Sequence, residues 1–150
     1  MAGSTRYSEN GILNMVIIKL VRDAKKQDVK VFCDIREKCV EFMEDVDIAS
    51  LFGNLAANAL EAAAKSTERV IEIDISTKPA QKLTVITFAN SCDVKPAKTA
   101  EGMLISDKGA HHDIGQRSIA RIVKKYSGTA ENFYDSESKR FEWVIVFKNR

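Results

Sequence analysis

No stretch of this chain approaches the ~18 consecutive apolar residues of a membrane-spanning helix, and no signal peptide opens it. There is no dense block of lysine or arginine, and a net charge of +2 is too small to argue for nucleic acid. A nucleic-acid partner and a membrane contact by this domain are therefore both excluded as expectations. Cys33, Cys39 and Cys92 are odd in number and lack the CxxC spacing of zinc sites. The five residues between Cys33 and Cys39 are weak support for a bridge or a metal, and reduced thiols in a cytosolic protein are expected instead. No internal repeat or low-complexity tract is visible.

What remains is the composition of a globular domain: 45% hydrophobic and 29% charged over 150 residues, enough for one core. Ile12, Leu13, Val16, Ile17, Leu20, Val21 and Ala24 recur at helical spacing and predict a helix over 8–26. Strands are expected over 29–35 and, shorter, near 40–43. Asp45 or Asp47 is placed to cap a second helix that runs to about Lys65. Ile71, Ile73 and Ile75 alternate with polar residues in a half-buried strand. Lys78-Pro79-Ala80-Gln81 turns the chain into a strand from Leu83 to Ala89. Phe141, Trp143, Ile145 and Phe147 alternate in another, paired with 130–134. Ile119, Ile122, Val123 and Tyr126 mark a third helix beginning near Gly115, with Gly128 placed to end it. The segment 92–112 is irregular and long enough to be a functional, mobile loop. Helices segregated onto one face of a mostly antiparallel mixed sheet give the expected fold, an α+β two-layer sandwich with three main helices.

The second helix carries the strongest chemical signal. In Asn54-Leu55-Ala56-Ala57-Asn58-Ala59-Leu60-Glu61, positions 54, 58 and 61 align on one side of an otherwise apolar helix. Asn is a poor mid-helix residue, because its side chain competes for local backbone. Oxygen donors at this spacing can hold a hydrated Mg²⁺, which takes one or two protein ligands plus phosphates and waters. The bland alternative is a solvated polar face, for which Lys or Glu would be the more usual choice.

The run Leu51-Phe52-Gly53-Asn54-Leu55-Ala56-Ala57-Asn58-Ala59-Leu60-Glu61-Ala62 resembles the N-box of the GHKL ATP-binding superfamily. That superfamily joins gyrase, heat-shock chaperones, sensor histidine kinases and mismatch-repair MutL proteins. The likeness is to the kinase branch that senses peptides or small metabolites. Ile12-Leu13 with Lys19 and Ala24 resembles that branch's first helix. His111-His112-Asp113-Ile114-Gly115-Gln116-Arg117-Ser118-Ile119, leading to Ile122 through Gly128, resembles its last glycine box and helix. The resemblance spans about Tyr7 to Lys148. Residues 7–150 are thus expected to form one GHKL-type ATP-binding domain, and 1–6 a tag or linker.

The resemblance implies ATP and Mg²⁺ as cofactors. It makes Asn58 the Mg²⁺-ligating residue and Asn54, one turn earlier, a second metal ligand or phosphate contact. GHKL hydrolases carry Glu four residues before the Mg²⁺-binding Asn; Asn54 cannot act as a general base, so phosphoryl transfer or binding is favoured over hydrolysis. Most kinases of the superfamily hold adenine with Asp-x-Gly-x-Gly. This chain has Phe88-Ala89-Asn90-Ser91-Cys92-Asp93 there, and Asn90 is the candidate base or lid contact, with a strand-end turn residue as its alternative. Lys108, His112 and Gly115 belong to the implied nucleotide site beside a helix N-terminus suited to phosphates. Asp113 departs from the family's His-Gly-x-Gly-Leu by removing a glycine and adding negative charge. The adjacent His111 and His112 are otherwise read as solvent-exposed, and neither is the phosphoacceptor. No catalytic residue is assigned.

The resemblance implies the ATP-binding catalytic domain of a two-component sensor histidine kinase, cytoplasmic and part of a membrane-bound parent. It would present the γ-phosphate of Mg–ATP to a His on a dimerisation helix absent from this chain. The parent's dimerisation and phosphoacceptor helices, and indirectly a response regulator, are the implied partners. The alternative is a degenerate GHKL-fold module that binds nucleotide weakly or not at all and serves in partner interaction. A third reading is an anti-sigma-type kinase acting on a protein Ser, since fold does not fix function.

Overall fold

The computed structural model describes residues 10–36, 39–98 and 110–148, without the side chains of 110–114. In chain order its elements are α1 (Gly11–Lys26), β1 (Lys30–Ile35), α2 (Asp45–Lys65), β2 (Val70–Lys78), β3 (Leu83–Ser91), α3 (Ala110–Lys125), β4 (Thr129–Asp135) and β5 (Arg140–Lys148). A single 3₁₀ turn, Pro79–Gln81, joins β2 to β3.

The five strands form one mixed sheet in the order β1-β2-β3-β5-β4. Only β1 and β2 run parallel, joined through α2; the other neighbours are antiparallel. Register explains which residues enter the core. Ile75, Ile86 and Ile145 lie in one cross-strand row, and Ile73, Phe88 and Trp143 in the next. Because side chains alternate across a strand, these rows share the face that the helices cover. The opposite face carries Asp34, Glu72, Asp74 and Glu142, and stays polar.

On α1, Leu13, Ile17, Leu20 and Ala24 are buried at helical spacing. Asn10 caps this helix, its Oδ1 accepting the Leu13 N–H at 2.9 Å. On α2, Ile48, Leu51, Phe52, Leu55, Ala59 and Ala63 form the buried stripe, and Phe52 meets Phe88 at 6.1 Å between ring centroids. Small residues on this stripe let α2 lie close over β2 and β3.

Four sequence expectations need correction. The segment 40–43 is a turn and not a strand: the Met43 N–H bonds the Val40 carbonyl at 3.0 Å. Its buried residues Cys39, Val40 and Met43 are core-facing without being paired, since Thr84 Oγ1 satisfies the Cys39 carbonyl at 3.3 Å. Neither Asp45 nor Asp47 caps α2; the N-cap is Glu44, with no side-chain capping bond. The third helix starts at Ala110, five residues before Gly115, which puts 111 and 112 inside its first turns. It ends through Ser127 at φ 57°, while Gly128 donates its N–H to the Val123 carbonyl at 2.8 Å. Gly128 is needed for space: a Cβ there would sit 2.6 Å from the Phe147 ring and 2.8 Å from the Val146 carbonyl. Of the expected loop 92–112, residues 92–98 are irregular, 99–109 lie outside the described residues, and 110–112 are helical.

Candidate functional site between α2 and α3

One side of the first half of α2 faces α3. Near the start of α2, Asp47 Oδ2 accepts from Lys125 Nζ at 2.7 Å and from the Tyr126 hydroxyl at 2.6 Å. Two turns later, Asn54 meets Gly115. The first contact uses the end of α3 and the second its front half, so the two helices run antiparallel. Asn58, one turn beyond Asn54, continues this side toward the first turns of α3.

The Asp47 cluster is the anchor of the arrangement. Asp47 is buried, and its carboxyl is held below the ordinary range by the Lys125 ammonium and then by the Tyr126 hydroxyl. Lys125 is in turn raised by Asp47 and by Glu44, which lies 2.9 Å away. Tyr126 also accepts the Glu44 N–H at 2.9 Å, and burial, followed by Asp47, raises its phenol. Composition could not single out these three residues. The sequence marks Asp47 as a helix-start residue and Tyr126 as part of a helical stripe, but nothing in it brings the two together with Lys125.

The two carboxamides differ. Asn54 Nδ2 donates to the carbonyl of Ser50 one turn back, at 2.8 Å, the local bonding that makes Asn a poor helix former. Among the described residues Asn58 Nδ2 is buried with no hydrogen-bond partner. An orphaned buried amide is costly and uncommon, and often marks a side chain held for another purpose. In a cation site the carboxamide oxygen faces the ion and the NH₂ group points inward. The donor set of two neutral amide oxygens suits a hard cation that keeps its waters and takes phosphate oxygens. The residues present thus fit Mg²⁺ bound with a polyphosphate.

Asn90 lies on the helix face of β3, in register between Ile71 and Phe141, and is buried. It is a strand residue and not a turn residue, since β3 continues to Ser91. Its Nδ2 donates to the Ser91 carbonyl at 3.0 Å, leaving Oδ1 as an acceptor. Ser91 itself is structural, with its hydroxyl 2.6 Å from Ser66 Oγ at the end of α2. The structure brings Asn54 and Gly115 together, and Asn58 lies one turn further along α2. Asn90 stands on the sheet that α2 covers, Lys108 lies outside the described residues, and His112 is described in its backbone alone.

Charge separates the two sides of the molecule. A depression of about 560 Å³ on the open sheet face is lined by Asp34, Glu72, Asp74, Asp135 and Glu142, with Arg140 among them. That surface repels polyphosphate. By contrast, α3 exposes Arg117, Arg121 and Lys124 at successive turns on the helix layer. Among the described residues no cluster of His, Cys, Asp or Glu could hold a metal, and no helix is long and apolar enough to cross a membrane.

A family model described as GHKL domain matches residues 43–148. No curated protein matches the sequence. Among solved structures, a mycobacterial sensor histidine kinase, MprB, aligns with a TM-score of 0.66 at 11% identity, over 93% of this chain and 94% of that one. The nucleotide-free catalytic domain of histidine kinase ThkA aligns with a TM-score of 0.62 at 13% identity, over 92% and 91%. Full-length ShkA in complex with AMPPNP gives 0.66 at 11% identity, over 99% of this chain and 32% of that one. At such identities these likenesses establish the fold, three helices on a five-stranded mixed sheet as in histidine kinase ATPase domains. The family model covers most of the chain, and the chain belongs to the GHKL domain family.

Proposed function

We propose that this domain binds Mg–ATP and serves as the catalytic domain of a two-component sensor histidine kinase of the peptide-sensing type. The observation that carries the reading is Asn58, whose buried Nδ2 lacks a partner on the side of α2 that faces α3. Asn58 and Asn54 would hold Mg²⁺ through their amide oxygens. Asn90 Oδ1, oriented by the Ser91 carbonyl, would accept from the base. The first turns of α3, with His112, Gly115 and Lys108, would receive the phosphates, because a helix N-terminus favours anions. The chemistry the ion would supply there is neutralisation of charge on the transferred phosphoryl group. Asn54 cannot serve as a general base, so the chain's own contribution is orientation and not activation of water.

The acceptor in this reading is a His on a dimerisation helix outside this chain, and a response regulator acts downstream. The parent is membrane-bound, with this domain on its cytoplasmic side. The likeness to ShkA, solved with AMPPNP, supports nucleotide binding.

Titration calorimetry with Mg–ATP tests the proposal. Affinity in the micromolar range or weaker is expected, about −8 kcal/mol or less favourable. Asn58→Ala should abolish Mg²⁺-dependent binding and change stability by no more than ~1 kcal/mol, since its amide makes no bond to lose. Retained affinity in that variant would refute the assignment of Asn58.

A second reading, a degenerate module that serves partner interaction, is favoured by Asp113 inside the first turns of α3 and by the absent Asp-x-Gly-x-Gly. Absence of heat and of any thermal shift at millimolar Mg–ATP would select it.

A further inference from the structure

We infer that Gly115 is a positioning residue for Asn54. Its missing side chain lets α3 seat on the Asn54 carboxamide and aim it. The role rests on the nucleotide reading above; the contact beneath it does not.

Three observations place Gly115 in this role. It is buried inside α3 at a φ that any residue adopts, so backbone freedom does not call for glycine. Glycine within a helix is destabilising relative to alanine, so helix stability does not favour it at 115 either. A Cβ at 115 would sit 2.8 Å from Asn54 Oδ1, 3.5 Å from its Cγ and 4.0 Å from its Cβ. Every neighbour within 4 Å is thus an atom of that one side chain.

Asn54 is restrained at both ends of its carboxamide. Nδ2 is bonded to the Ser50 carbonyl at 2.8 Å, with Ser50 Oγ at 3.5 Å, while Oδ1 borders the space that a Cβ at Gly115 would fill. An added methyl would force the amide to swing or α3 to lift. The amide is the softer of the two, so the fold should survive and the aim of Oδ1 should not. Gly53 provides the control. It sits on α2 beside Asn54, and a Cβ there meets nothing within 4 Å.

The test is a thermal cycle read alongside binding of Mg–AMPPNP. Gly53→Ala should raise the melting temperature by about 2–4 °C, the ordinary gain of alanine over glycine in a helix. Gly115→Ala should give no such rise in the wild-type background, yet give it once Asn54→Ala has cleared the space. In the wild-type background Gly115→Ala should also weaken Mg–AMPPNP about 10-fold, the usual loss when a residue that orients a metal ligand is disturbed. If Gly115→Ala alone fails to fold while the double variant folds, the contact is confirmed by rescue. An equal rise with and without Asn54 would overturn the contact. Unchanged affinity with a non-additive cycle would overturn the positioning role and leave packing alone. A wild-type chain that binds no Mg–AMPPNP overturns the nucleotide reading and the positioning role with it, while the thermal cycle still decides the contact.

Discussion

Replacing Tyr126 by phenylalanine removes one hydroxyl and leaves the rest of the α2–α3 anchor in place. The ring would keep its edge-on packing against Phe42, at 5.7 Å and 83°, and against Phe147, at 6.2 Å and 88°. What disappears is the 2.6 Å donation to Asp47 Oδ2 and the acceptance of the Glu44 N–H at 2.9 Å. Glu44 is exposed, so water replaces the second bond at little cost. The first is a hydrogen bond to a buried carboxylate, worth roughly 1.5–3 kcal/mol. Lys125 remains 2.7 Å from the same oxygen, so the charge is not stranded, and about 2 kcal/mol is expected. For a domain of this size that is a fall of about 4–8 °C in melting temperature.

The pH dependence supplies an internal check. Asp47 has a depressed folded-state pKa, from Lys125 first and Tyr126 second. A depressed carboxylate contributes stability that is present above the unfolded pKa, about 3.9, and lost as pH falls through the folded value. The gap between wild type and Tyr126→Phe should therefore be full near neutrality and shrink as pH drops below about 4. Urea unfolding at several pH values measures it. A gap under ~0.5 kcal/mol at pH 7, or one that widens on acidification, would refute the reasoning.

Three further outcomes are expected. Gly128→Ala should cost about 2–3 kcal/mol in urea unfolding, because the new Cβ meets the Phe147 ring and an immovable carbonyl. Iodoacetamide at pH 8 should label Cys92 ahead of the others by mass spectrometry; Cys33 is buried, and burial pushes its thiol up to about 12, while Cys92 is partly exposed. Asp113→Gly should bind Mg–ATP more tightly by removing negative charge beside the phosphates, worth roughly 3 kcal/mol per unit charge at ~6 Å and a dielectric of 20. It should also melt lower, since 113 lies within the first turns of α3, where a carboxylate is favourable and glycine is not.

Period-based reading found the helices and the central strands because burial there follows a regular spacing. Ile71, Ile73 and Ile75 alternate in sequence and are all buried. The apolar stripe of α2 and its end at Lys65 were equally plain. Residues 39–43 misled because Cys39, Val40 and Met43 are buried without a neighbouring strand to pair with, and apolar spacing does not distinguish a turn that covers a core from a short strand. α3 begins five residues before the expected start, because Gly115 looks like a boundary in sequence. Both Gly115 and Gly128 carry ordinary backbone angles and are glycine because another element touches them, Asn54 in one case and Phe147 in the other. Such contacts are properties of two segments at once, and no local pattern in either segment announces them.

The polar side of α2 makes the same point about chemistry. In sequence, Asn54 and Asn58 are odd choices for a solvated face, where Lys or Glu would serve. The structure turns Asn54 toward α3, and both carboxamides are half-buried. A charge in such a place is stable only when paired, and the buried carboxylate Asp47 is held by Lys125 and by the Tyr126 hydroxyl. Further along, no cation from the described part of α3 reaches Asn54 or Asn58, and a neutral amide is the polar group that can stay there without a permanent partner. Asn54 takes a backbone carbonyl of its own helix, and Asn58 takes none. A lysine at 58 would repel a cation and a glutamate would add charge beside phosphates. An asparagine does neither, and it keeps an oxygen available for a ligand that comes and goes.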